Sequence, residues 1–346
     1  MQQSKRWAWL KSWEALMFII LCAVVVANLR LSEHYLDLNN LANIFHLSIE
    51  KSLVVLIMAF VIINGEIDLS VASVMGLSAT VLAERYDAGW PIAAGFALAL
   101  CVGILCGLLN GLFSAYMGIP SLIVTLAGLI GYRGVARILL EDRSVGDFPS
   151  WFTSLGQDGI IGPFPLTIFV FIALFILGFV ILQYSVFGRY VYAIGNNRAA
   201  AEYAGINAKQ VKVTIFMASG LIAALAGAFY AARLGNVRAN AAEGFELDII
   251  TIVLLGGVSI FGGTGTMIGV GLSLLVVLNL RNGMSLSNVD GNTQTSVIGL
   301  LLILSVLVPN LIQLLQRLLP RLFSVIAGFM NKGGATKPKS QVSVHQ

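Results

Sequence analysis

The chain has 346 residues, of which 58% are hydrophobic and only 11% charged. Soluble domains carry roughly 25% charged residues, so this composition, with a mean hydropathy of +0.88, excludes a soluble globular protein. It points to an all-α, polytopic transmembrane helical bundle. The net charge of +4 does not signal nucleic-acid binding, because the cations are spread over separate segments instead of gathered in one patch.

The start, MQQSKRWAWLKSWEALMFIILCAVVVANL, joins a basic region to an apolar run without a small-residue cleavage site. It predicts an uncleaved first span. In chain order about ten spans follow from the apolar runs: 13–30, 47–64, 70–84, 91–117, 120–140, 163–184, 213–233, 246–262, 264–284 and 294–316. Most approach the about 20 residues needed to cross a ~30 Å hydrocarbon layer. The expected organisation is a cytoplasmic N-terminal segment 1–12, a transmembrane domain 13–316 and a cytoplasmic tail 317–346. The tail, polar and short of large apolar residues, is expected to be disordered.

Orientation comes from the cations. The loops 31–46, 85–90, 141–162, 234–245 and 285–293 hold Arg85, Arg143 and Arg238, whereas the opposite side holds Lys5, Arg6, Lys11, four cations of 188–212, and five after residue 316. Lys and Arg resist translocation, so both termini are expected inside. Cys22, Cys101 and Cys106 all fall within apolar runs and read as small packing residues. His34, His46 and His345 show no metal-ligand spacing, and no metal and no cofactor are expected.

Small residues recur at helical spacing: Gly103, Gly107 and Gly111, then Gly220, Ala224, Gly227 and Ala231. Such stripes let helices approach closely in lipid. The pairs Gly256–Gly257 and Gly262–Gly263 interrupt the eighth apolar run. A broken helix at membrane depth must be covered by protein or face water.

Two polar segments stand out. In the first, Asn64-Gly65-Glu66-Ile67-Asp68-Leu69-Ser70, two carboxylates sit where the chain turns with almost no loop. Asp68 or Ser70 is placed to cap the third span; alternatively the motif forms a proton or substrate site at mid-depth. The second runs from Gly188 to Lys212 and carries Arg189, Arg198, Lys209 and Lys212 against one acid, Glu202. It reads as a short basic helix that meets another protein. No G-x-x-x-x-G-K-[ST] phosphate loop occurs in the sequence, so this chain is not expected to bind ATP itself. If the bundle encloses a solute pathway, its candidate lining groups are Asn64, Ser70, Ser73, Ser78, Asn110, Thr125, Ser259, Asn279 and Asn282, and the scarcity of strong charge along most spans would suit a neutral solute.

The segments resemble a known family in order. NGEIDLSVASVMGL at 64–77 resembles the GGIDLSVGSVMAL motif of the ribose-type ABC importer permeases. LNGLFSAYMGIPSLIVTLAGLIGYRGVA at 109–136, the stretch 188–205, and FELDIITIVLLGGVSIFGGTGTMIG at 245–269 are similar to their further motifs. Two positions depart: Glu66 replaces a usual Gly, and Thr264 stands where Arg is common. Among the branches the chain is most similar to deoxysugar permeases of the rhamnose type.

The resemblance implies a permease of an inner-membrane importer, not an enzyme, paired with a second copy or a sister permease. A periplasmic solute-binding protein would deliver a sugar or sugar-like solute, and a cytoplasmic ABC ATPase would drive transport. The stretch 188–212 would hold the helix that couples to the ATPase. Asn196 or Asn197 would cap it, and Arg198 and Glu202 would pair along it. Ala200, Ala201 and Ala204 would keep it slim, Tyr203 would be its one large anchor, and Gly205 would end it. A proton-coupled secondary transporter using Glu66 and Asp68 is the alternative.

Overall fold

The computed structural model describes residues 12–307 apart from 47, 142, 302, 305 and 306. The expected segment 1–12 (but for Ser12), the tenth span beyond residue 307 and the tail lie outside the described residues. The chain divides into two units, residues 1–302 and 303–346; all contacts below are within the first.

The helices are α1 Trp13–Leu31, α2 Leu38–His46, α3 Ile49–Ile63, α4 Val71–Asp87, α5 Ile92–Tyr116, α6 Ser121–Leu140, α7 Ser150–Gln157, α8 Leu166–Tyr184, α9 Val186–Asn196, α10 Arg198–Tyr203, α11 Ala208–Leu234, α12 Phe245–Leu255 and α13 Met267–Leu286. Residues 291–301 are also helical. A proline immediately precedes each of α5, α6, α7 and α8. Its locked φ and missing N–H keep the chain extended, and the helix begins behind it. α11 stops at Gly235, whose φ of +68° is left-handed and whose N–H closes on the Ala231 carbonyl.

Among the described residues, six helices are long and apolar enough to cross a membrane, or seven if the pair Leu38–His46 and Ile49–Ile63, bent by 52°, is one broken span. The eighth predicted span is corrected. α12 ends at Leu255 after 11 residues, about 16 Å of helix, half the hydrocarbon thickness. Gly257, at φ +84°, turns the chain out of the helix into a loop that lasts until α13.

α11 is the central helix and packs on α5, α4, α3 and α7. The small-residue stripes make this possible. A Cβ at Gly111 would lie 2.9 Å from the Val213 Cα, one at Gly107 would lie 3.0 Å from the Met217 Cα, and Gly103 faces Gly220. Without a hydrophobic drive between helices in lipid, close backbone contact supplies the attraction.

Two of the loops expected on the outer face, 141–162 and 234–245, carry strands. Strand β1 (Ser144–Gly146) pairs antiparallel with β4 (Asn236–Arg238), with Val145 opposite Val237. Strands β2 (Gly159–Ile161) and β3 (Phe164–Pro165) form a second small ladder. Beneath the first pair Leu82, Leu140, Phe148, Phe152 and Ala231 form a buried cluster with Val145 and Val237. Arg143 also meets Asp87 across 3.4 Å. The loops 85–90, 141–162 and 234–245 therefore lie together at one end of the bundle.

Candidate transport and docking site

Between α3 and α4 the chain reverses at Gly65, where φ is +80°. The acids that follow are buried by what packs over them. Asp68, only 3% exposed, accepts the Ser70 N–H at 2.9 Å and the Ser70 hydroxyl at 2.6 Å on one oxygen, and the Ser219 hydroxyl at 2.8 Å on the other. Three donors replace the water that a buried carboxylate loses. Ser70 occupies the cap position of α4 but makes no side-chain cap bond; Asp68 satisfies the helix start. From Ser70 the network continues. Asn110 donates to the Ser70 hydroxyl at 2.8 Å, and Tyr132 donates to the Asn110 carbonyl oxygen at 2.9 Å. Gly128 leaves the space: a Cβ there would stand 2.8 Å from the Tyr132 ring and 3.2 Å from Ser70.

Glu66 is ion-paired with Lys212, which also donates to the Ser114 hydroxyl at 3.3 Å. Lys212, read from the sequence as one of four cations in the 188–212 segment, is thus drawn into the helix bundle. α11 begins at Ala208, so Lys212 lies within its second turn and faces inward, 6% exposed.

The rest of that segment is also more finely divided than one short helix. α9 is capped by the Ser185 hydroxyl, which accepts the Gly188 N–H at 3.0 Å, and Asn196 is its last residue. Asn197 caps α10 by accepting the Ala200 N–H at 3.0 Å. Along α10, Arg198 meets Glu202 at 2.9 Å. Ala204 is its C-cap, and Gly205 turns the chain at φ +85°. Asn207 caps α11 on the Gln210 N–H at 3.1 Å. Ala201 faces inward, whereas Tyr203 is 94% exposed.

Three turns meet beside α10. The Gly263 N–H donates to the Ile63 carbonyl at 2.8 Å. A Cβ at Gly262 would stand 2.8 Å from the Gly65 Cα, and one at Gly263 would stand 2.8 Å from the Asn196 Cα. Backbone thus touches backbone where α3, α9 and the loop after α12 end. The interrupting glycine pair Gly262–Gly263 serves this junction, which the sequence does not reveal because its partners are far apart in the chain.

The nine pathway candidates fall into separate groups. Ser70, Ser73 and Asn110 share the Asp68 network, Ser73 donating to the Ser70 carbonyl at 2.8 Å. Thr125 donates to the Ser121 carbonyl at 2.8 Å. The Ser259 hydroxyl accepts the Phe261 N–H within its own loop. Asn279 and Asn282 lie elsewhere and tie α13 to α1 and the chain that follows it. Asn279 meets Asn28 and Tyr35, and Asn282 exchanges bonds with Asn40 at 2.8 and 3.1 Å. Only Asn64 and Ser78 of the nine have buried side-chain atoms with no hydrogen-bond partner among the described residues.

The impression of few buried charges is corrected. Arg233 meets Glu50 at 2.6 Å, and Asp248 holds both Lys51 at 2.5 Å and Arg281 at 2.7 Å. Each lies within a helix read as apolar, and each meets an opposite charge on another helix. Charge in a bundle interior persists only when so paired.

This is a polytopic helical membrane protein with polar and charged groups paired between its helices. Residues 40–306 match the family described as branched-chain amino acid transport system / permease component, and the chain belongs to that family. It is a transport component, not an enzyme. It is 31% identical to the ribose import permease protein RbsC of Escherichia coli K12 over 306 residues, 88% of this chain and 95% of the relative. It is 30% identical to the xylose transport system permease protein XylH of Haemophilus influenzae, covering 86% and 96%. The autoinducer 2 import system permease protein LsrD of Klebsiella pneumoniae is also 30% identical, over 86% and 91%. No solved structure matches the chain.

Proposed function

We propose that this chain is the membrane-spanning subunit of a binding-protein-dependent ABC importer that carries a sugar or sugar-like solute across the bacterial inner membrane. The observation that carries the reading is α10 in a permease of this family. It is a short helix, defined by caps at both ends, that projects one aromatic side chain into solvent between long helices. In this reading α10 docks in a groove of a cytoplasmic ATPase subunit, and both termini and the 188–207 segment are cytoplasmic. About ten crossings, with a periplasmic binding protein on the opposite face and a second permease beside it, complete the assembly. The relatives named for ribose, xylose and autoinducer 2 support a small, uncharged, hydroxyl-rich cargo. Asn64 and Ser78, whose side-chain polar atoms find no hydrogen-bond partner among the described residues, are the leading candidates to touch it.

The proton-coupled alternative loses its main support, because Glu66 is held by Lys212. The test is the variant Ala200→Glu in the full-length, tagged chain. Expected are normal membrane insertion, loss of the co-purifying ATPase, and loss of uptake of labelled ribose, xylose or rhamnose, whichever the unmodified importer takes up. An unchanged yield of ATPase would remove α10 from the docking role. Uptake that persists without the ATPase and collapses with an uncoupler would restore the proton-coupled reading.

A further inference from the structure

Both acids of the turn between α3 and α4 grip the same face of α11. Glu66 takes Lys212, and Asp68 takes Ser219. Lys212 and Ser219 are seven residues apart, so they lie on one face about two turns from each other. α11 begins after the short link 204–207 that follows α10. On the other side, Asp68 fixes the start of α4, and the network passes through Ser70 to Asn110 of α5 and Tyr132 of α6.

We propose that Glu66 and Asp68 are positioning residues whose two-point grip on Lys212 and Ser219 carries movement of α10 to the helices around Ser70, Asn110 and Tyr132. The inference rests on the reading of α10 as the docking helix. A single contact would let α11 pivot; two contacts along one face make the turn follow both its slide and its rotation. The contacts do not stretch. A slide of one residue's rise, about 1.5 Å, exceeds the range over which a hydrogen bond holds. The network therefore either moves with α11 or switches to another arrangement. Glu66 stands where the resembled motif has Gly, so the lower half of the grip is a feature of this chain and not of the motif.

Cys106 provides a native reporter. It is buried on α5, and its carbonyl accepts the Tyr132 hydroxyl at 3.3 Å. With Cys22 and Cys101 replaced by alanine, the full-length permease is purified with its ATPase. The alkylation rate of Cys106 by N-ethylmaleimide is then measured with and without ATP plus vanadate. We expect trapping to change the rate by about fivefold or more, the scale of ordinary allosteric coupling. Glu66→Gln and Ser219→Ala should each abolish most of that change while the ATPase still co-purifies. The exchanged pair Glu66→Lys/Lys212→Glu should restore it, which general loosening of the fold would not do. An unresponsive parent protein, a full response in either single variant, or an exchanged pair that folds and binds the ATPase yet stays unresponsive would overturn the proposal. Ala200→Glu run alongside separates the two ideas: retention of ATPase in that variant defeats the docking role of α10 itself.

Discussion

At the residue scale, the molecule is held by polar contacts that composition hides. Glu50 is completely buried and meets Arg233 of the central helix. Removing one partner of such a pair leaves an uncompensated charge and costs about 3–5 kcal/mol. Glu50→Ala is therefore expected to lower stability by that amount in denaturant titrations in detergent. The double variant Glu50→Leu/Arg233→Met, which removes both charges, should recover most of the loss. Equal destabilisation by the single and double variants would show that the pair is not what Glu50 provides. The sequence displays every one of these charges. It does not display their partners, because Glu50 and Arg233 are 183 positions apart. Asp68 was legible as a helix-start acid; its bond to Ser219 was not.

At the element scale, glycine sets which helices touch. The stripe of α5 was readable as a packing face from its spacing alone. Its partner was not, since Gly220 lies on a stripe of equal merit in a distant helix. Gly107→Leu would force a side chain against the Phe216–Met217 backbone. Overpacking of this kind costs typically about 1–3 kcal/mol. We expect a lower Tm and a lower yield of folded protein, and a milder effect from Gly131→Leu, whose Cβ would meet nothing within 4 Å. Equal effects at both positions would mean that α5 and α11 are not in close contact in the membrane. Gly195→Ala tests the three-turn junction. Its Cβ would meet the Ile63 carbonyl and the Gly263 nitrogen, so the turns beside α10 must part. The expected result is normal insertion with reduced uptake.

At the scale of the whole molecule, the pairing of β1 with β4 gathers three loops at one end, while α10 and the glycine junction lie with the turns after α3 and α9. The proposed orientation makes the first end periplasmic. In intact cells, Ile160→Cys, on an exposed strand position, should be labelled by a membrane-impermeant maleimide. Tyr203→Cys should be labelled only after the membrane is opened. Labelling of Tyr203→Cys in intact cells would invert the topology and end the docking proposal.

The sequence by itself determined the class, most helix positions, a short capped helix somewhere within 188–212 and the family. These follow from local signals: apolar runs matched to a bilayer, prolines and glycines at helix ends, Asn caps, and motifs read in order. The half-length α12, the two- and three-residue strands and the partners of every buried charge were decided by tertiary structure. Each of these depends on groups brought together from distant parts of the chain, where a polar atom is stable only if its partner arrives with it. Spacing along one helix carries no record of that partner.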